Sequence, residues 1–248
     1  MTALIIFIFG LAIGSFLNVV IYRLEQDKSF VFGRSYCPKC KKTLAWHDNI
    51  PLLSFIVLAG RCRFCKKGIS WQYPLVELAT AVVYLAAYWR YGLTLGGLAI
   101  MIFCSFLLLI FVYDFKHYLI PDGITIPAMA VALILNIARG FALSDLLLAA
   151  IVGAGFFGLQ YVISRGQWIG GGDIRLGALM GLMLGFGQLL AALFIAYLIG
   201  AVVGVSAVLL SRKRLKSQIP FGPFLVLGTL IVFIWGRELI DWYLSYIL

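Results

Sequence analysis

The stretch Met101-Ile-Phe-Cys104-Ser-Phe-Leu-Leu-Leu-Ile-Phe-Val-Tyr113-Asp114 decides how this chain folds. An uncharged apolar run of this kind belongs in a helix surrounded by lipid or protein. It runs straight into a carboxylate, which is costly beside lipid unless it faces the protein interior or water. A second carboxylate stands in a matching place. Asp173 closes the string Ile169-Gly170-Gly171-Gly172-Asp173 and opens another apolar segment. Two carboxylates able to share one proton are the minimum apparatus for aspartic proteolysis. Asp114 and Asp173 are therefore the candidate catalytic residues, and the chain reads as an enzyme.

Outward from these strings the apolar character continues. Hydrophobic residues make up 63% of the 248 and charged residues only 12%, which excludes an ordinary soluble domain. Eight hydrophobic segments can be marked, at about 3–22, 73–89, 95–113, 124–138, 146–163, 174–186, 189–210 and 219–235. The expected fold is an all-α polytopic membrane protein with about eight transmembrane helices and a small cytoplasmic loop module. The segments at 124–138 and 174–186 fall short of the roughly 20 residues a full span needs. They either lie in a thinned bilayer or begin below its surface in a water-accessible cleft. The first segment lacks a basic stretch before it and a small-residue cleavage site after it, so it is expected to remain as a permanent helix.

Charge sets the orientation. The formal net charge is +10, and ten of the 20 Lys and Arg lie between Arg23 and Lys67. Beside membrane spans this cluster reads as the positive-inside signal, with membrane lipids as a partner and no nucleic acid. The loop 23–72 then faces the cytoplasm. Alternation places Lys116, Arg165, Arg175 and the cluster Arg212–Lys216 on the same side, against the bias only of Arg90, Arg139 and Arg237. The same count brings Asp114 and Asp173 to the cytoplasmic face.

The cysteines carry the next signal. Cys37-Pro38-Lys39-Cys40 and Cys62-Arg63-Phe64-Cys65 are near-copies of one knuckle. Two such pairs supply four thiolates for one tetrahedral zinc ion, and saturation by thiolates leaves no open position, so the role is structural. A reducing cytoplasm argues against disulfides. Redox-active pairs are the rival reading. Cys104, in mid-span, reads as plain packing.

Glycines recur at Gly177, Gly181 and Gly185, on the helix face that carries Asp173. Small residues at this spacing let membrane helices approach closely. The ridge is expected to hold the carboxylate against a neighbour, with the helix ending at Asp114 as the candidate. Gly170, Gly171 and Gly172 would permit close substrate approach. Glu77 reads equally as a helix-terminus carboxylate and as a substrate-facing one. Asp122 follows Pro121 and reads as a cap. Asn18 suits interhelical hydrogen bonding, and His47 and His117 read as solvated loop residues. The helix ends themselves suggest roles: a negative dipole end at Asp114 makes it the acid, and a positive end at Asp173 makes it the base.

Together these strings resemble the type IV prepilin peptidases, a family of GxGD membrane aspartic proteases. The resemblance runs through Gly14–Leu24, the paired cysteine loop, Asn49–Phe55, Gly60-Arg61-Cys62, Ile69–Glu77, the Asp114 string with Ile120-Pro121-Asp122, and Gly170-Gly171-Gly172-Asp173. The family's signature falls on Gly170, Gly172 and Asp173, and its other aspartate on Asp114. His47-Asp48 stands where many relatives carry a glutamate, and Lys116 where some have a second acid. The resemblance implies removal of a basic leader from type IV prepilins or type II secretion pseudopilins, in the bacterial cytoplasmic membrane. It also implies N-methylation of the new terminus with S-adenosylmethionine, through the cysteine-bearing region. The chain itself carries no Rossmann-type motif for that cofactor.

The expected organisation is therefore a first membrane helix at 1–22, a cysteine module at 23–72 and a peptidase domain at 73–248. The competing readings are a peptidase without methyl transfer, an ion or proton transporter using the paired carboxylates, and a non-catalytic zinc adaptor. Both aspartates on one side, with no relay across the bilayer, weigh against transport.

Overall fold

Burial of apolar faces in a chain this hydrophobic leaves helices as the economical answer, since each satisfies its backbone internally. The computed structural model describes residues 1–26, 33–211 and 220–247. Asp27, Lys28 and the basic cluster Arg212–Lys216 lie outside the described residues. Among those described there is no strand, only the isolated bridges Tyr36↔Thr43 and Arg61↔Gly68. The helices are α1 (Thr2–Leu24), α2 (Leu53–Val57), α3 (Gln72–Tyr91), α4 (Leu95–His117), α5 (Asp122–Ala138), α6 (Leu143–Ser164), α7 (Gly171–Leu184), α8 (Phe186–Ser211) and α9 (Gly222–Ile247). All but the short α2 correspond to the eight apolar segments. Five of them, α1, α4, α6, α8 and α9, are long and apolar enough to cross a membrane alone. His117 is the last residue of α4 rather than part of a loop.

The chain divides into two compact units, Met1–Leu93 and Thr94–Leu248. In the first, α1 and α3 run antiparallel. Gly10 and Gly14 face the backbone of Ala81 and Glu77, where a Cβ would come within 2.6 Å of a Cα. This small-residue seam draws the two backbones together. Asn18 closes it with bonds to the Gly14 and Tyr73 carbonyls at 3.2 and 3.1 Å, and accepts from Gln72 at 3.2 Å. The interhelical role expected of Asn18 is met.

In the second unit α7 is packed chiefly on α6. A Cβ on Gly177 would lie 2.5 Å from the Gly153 carbonyl oxygen, and one on Gly181 would meet the backbone of Ala149 and Ala150. The glycine ridge thus presses on α6, not on the helix that carries Asp114 as expected. The reason is that Gly153 and Ala149 offer the matching small surface, whereas the Leu- and Phe-rich α4 does not. The pairs 153/177 and 149/181 set Phe157 abreast of Asp173. From there α6 continues seven residues to Ser164, about 10 Å further. The aspartate is recessed by that amount.

The short helices α5 and α7 run parallel and are clipped together at both ends. Arg175 pairs with Asp122 at their N-termini. Asn136 donates to the Leu182 and Met183 carbonyls at 2.6 and 3.1 Å at the other end. Asp122 is the first residue of α5, and Pro121 holds the cap position without a side-chain bond. The capping role expected of Asp122 gives way to the arginine pair. Antiparallel α9 packs on α4 through Phe103 and Phe233, with ring centroids 6.1 Å apart, and on α8 where Gly228 meets Ala192 and Ala196.

Candidate active site and metal centre

Asp114 sits one turn before the end of α4, and Asp173 in the first turn of α7. Both are almost sealed from solvent, at 5% and 8% exposure. They are near enough for their charges to act on one another. The register of helices therefore brings together two carboxylates with 58 residues between them in the chain.

Each is held by backbone at a helix N-terminus. Asp173 accepts the Gly170 N–H at 3.1 Å on Oδ2, while its own N–H donates to the Gly170 carbonyl at 3.1 Å. Asp114 accepts from the Gly222 N–H at the start of α9. A Cβ on Gly222 would collide with the Asp114 carboxylate, so this close approach requires glycine. The dipole of α9 thus offsets the negative end of α4, and the argument that made Asp114 the acid and Asp173 the base loses its asymmetry.

Ile120 sets the spacing between these supports. It is buried, and its side chain lies 2.9 Å from the place a Gly172 Cβ would take and 3.4 Å from that of Gly222. One apolar wedge thereby touches the turns on which both aspartates depend. Gly171 has open space around its missing side chain, and a Cβ on Gly170 would make only ordinary contacts with Asp173 and the Gly172 amide, so of the three glycines Gly172 is the sterically constrained one. Beyond α7 an aromatic group gathers. Tyr197 packs on Phe221 at 4.8 Å, its hydroxyl donates to Gln160 at 2.9 Å, and Asp173 lies within its electrostatic reach. Gly222 and Tyr197 escaped the sequence reading, and Ile120 entered it only inside the string Ile120-Pro121-Asp122, with no role of its own. The string Pro220-Phe221-Gly222-Pro223 was a usable signal for a helix start, since proline favours the first turn.

In the first unit the two cysteine knuckles are conformational copies. The Cys37 and Cys62 amides donate to the Lys42 and Lys67 carbonyls, both at 2.9 Å. The Lys41 and Lys66 amides return to the Cys37 and Cys62 carbonyls at 2.8 and 2.9 Å, and both lysines take positive φ, 60° and 57°. The result gathers Cys37, Cys40, Cys62 and Cys65 with all four Sγ atoms within 4.8 Å of one another. Cys37 and Cys65 are 4.0 Å apart, about twice a disulfide length. Four thiolates about 2.3 Å from a common centre would stand near this separation, so the cluster can hold a metal ion.

A buried acid braces this cluster. Asp48 accepts from Arg63 Nε at 2.9 Å and from the Ala45 N–H at 3.3 Å, and Arg63 Nη2 stands 2.8 Å away. Burial alone would raise its carboxyl. The Arg63 and Ala45 hydrogen bonds and the Arg63 charge outweigh that and hold it below the usual carboxylate range. Because Arg63 lies between Cys62 and Cys65, the pair ties the turn at Trp46–Asn49 to the second knuckle. Nearby His47, 3.7 Å from Asp48, adds a weak second contact. Glu77 is buried in α3 and accepts the Leu52 N–H at 2.8 Å. That contact fixes the start of α2.

The Bacterial Peptidase A24 N-terminal domain matches residues 8–91, and the Type IV leader peptidase family matches residues 101–205. A Bacillus subtilis prepilin leader peptidase/N-methyltransferase is 36% identical over 97% of both chains. The protein of the same name from Legionella pneumophila is 34% identical over 98% of this chain and 94% of its own. One from Pseudomonas aeruginosa is 32% identical over 96% and 91%. No solved structure matches.

Proposed function

Because this chain belongs to the type IV leader peptidase family, we propose that it cleaves the basic leader from type IV prepilins or pseudopilins. The observation that carries the reading is the meeting of Asp114 and Asp173 at the N-termini of two helices, α9 and α7. Two neighbouring carboxylates that feel each other's charge resist double ionisation. One member takes a proton from water as it attacks the scissile carbonyl, and the other delivers a proton toward the departing amine. Gly170 and Gly222 amides hold the two groups still, and Ile120 keeps their turns apart. Supporting roles for Gly171 and Gly172 follow from the approach of an extended substrate backbone.

Helix parity and the basic surface of 23–72 support a cytoplasmic site in a bacterial inner membrane, with membrane lipids around the bundle. In this reading 73–248 holds the peptidase, and 23–72 with its flanking helices serves methyl transfer from S-adenosylmethionine. The names of the relatives support that second reaction, and no described residue is assigned to its cofactor. One zinc ion on Cys37, Cys40, Cys62 and Cys65 organises the module without taking part in chemistry. Glu77 acts on the same module, through Leu52.

The test uses purified full-length protein and a purified prepilin. Wild type is expected to release the leader, whereas Asp114→Ala and Asp173→Ala release none while keeping their helix content. Methyl incorporation is scored separately on pre-cleaved substrate. Cleavage surviving in either aspartate variant overturns the pair.

A further inference from the structure

The cysteine module carries an apolar groove that neither the aspartates nor the metal cluster explains. It measures about 640 Å³ and lies between α2, the second knuckle and the first turns of α3. Its size falls within the roughly 300–1,000 Å³ of small-molecule sites. Yet its lining is almost wholly apolar, and Arg61 is its one charged member. A water-soluble ligand would find few polar groups to orient it there.

Exposure tells what such a groove suits. Ile56 is 71% exposed, Trp71 69% and Leu75 60%, in a region where water would penalise them. From Trp71, which caps α3, the exposed residues Trp71, Leu75, Leu78, Val82 and Trp89 follow helical spacing along one face. The two tryptophans end it. They are 18 residues apart, about 27 Å along the helix, close to the roughly 30 Å hydrocarbon thickness. Tryptophan collects at both membrane interfaces. The groove shares Trp71, Leu75 and Leu78 with this face, so it opens at one interface. Between Gly33 and Trp71 the module carries eight Lys and Arg against the single acid Asp48, which suits phosphate.

The backbone on either side of α2 is held in an unusual conformation. Leu52 and Ala59, at the two ends of α2, hold positive φ of 57° and 48°, a region that side chains of this type rarely occupy. The bond from the Leu52 N–H to buried Glu77 secures one of them. Backbone strain of this sort persists only where the surroundings impose it.

We propose that a phospholipid occupies this groove, with an acyl chain along Ile56, Trp71, Leu75 and Leu78 and its phosphate at Arg61. The α2 helix then lies in the interface, and the cysteine module rests on the bilayer rather than standing off it. This inference rests on the membrane location alone and is independent of the reaction performed.

The experiment places the full chain in nanodiscs of phosphatidylcholine whose acyl chains carry bromine either near the headgroup or near the bilayer centre. The emission of Trp71 is taken as the difference between wild type and Trp71→Phe, and that of Trp89 likewise. Trp71 is expected to be quenched at least twofold more by shallow than by deep bromine. Native mass spectrometry from detergent is expected to show one retained phospholipid. Retention falls at least fivefold in Arg61→Gln and in Ile56→Asp, both of which alter exposed side chains. Unquenched Trp71 beside quenched Trp89 would mean that protein covers the face, a second copy or a substrate helix, and would overturn the proposal. So would unchanged retention in both variants. Should either variant misfold, the quenching of Trp71 in the unaltered groove decides alone.

Discussion

The Gly177→Ala substitution probes whether helix packing positions the proposed catalytic pair, Asp114 and Asp173. In wild type α6 and α7 touch through backbone. The added Cβ would lie 2.5 Å from the Gly153 oxygen and 2.6 Å from Phe157 Cδ2. An ordinary carbon–oxygen contact needs about 3.3 Å, so the two helices must part by roughly 0.8 Å. Neither contact is the far end of a flexible chain, and overpacking of this kind costs about 1–3 kcal/mol. Asp173 is four residues away on the same face and shifts with the helix. Misplacement of a reacting group by about 1 Å can lower a rate as much as 10²-fold. The expected result is a 10- to 100-fold slower cleavage with a melting temperature lower by several degrees. Gly155→Ala is the control. Its Cβ meets nothing within 4 Å, and alanine is the better helix former, so stability should hold or rise. Gly177→Ala with wild-type cleavage and stability would refute the claim that the α6–α7 seam sets the position of Asp173.

Other outcomes are equally specific. Asp114→Asn and Asp173→Asn should each abolish prepilin cleavage while circular dichroism stays unchanged. Cys37→Ser should strip metal from the purified protein and expose the module to protease, whereas Cys104→Ala, buried in α4, should leave metal content as it is; elemental analysis decides both. Asn136→Ala removes two bonds to the end of α7 and should cost about 1–2 kcal/mol, seen as a lower melting temperature. Asp48 has a depressed folded-state carboxyl, so its contribution is present above about pH 4, the ordinary aspartate range, and is lost as pH falls through the lower folded value. Arg63→Gln should therefore raise proteolysis of the module at neutral pH, while wild type and variant converge in acid.

Sequence alone determined that this is a polytopic helical chain with two aspartates at the ends of apolar segments and a four-cysteine knuckle pair. These features are local. Apolar length, charge asymmetry and CxxC spacing each act over a turn or a loop, and hydrocarbon or metal geometry permits few other outcomes. Parity of the spans even put Asp114 and Asp173 on one side. What the sequence left open depended on which surfaces meet. The glycines after Asp173 announced a close partner without naming it, and the choice of α6 over α4 rested on Gly153 and Ala149 presenting the complementary small face. Asp122 looked like a cap because Pro121 precedes it, yet Arg175 from another helix claims it. Nothing near Asp114 in the chain foretold the Gly222 amide, because α9 begins 108 residues later. That contact exists only once α4 and α9 are antiparallel and in register. Pair geometry of this kind is a property of long-range packing, where free energy is decided by shape match between distant segments rather than by any residue's own preference.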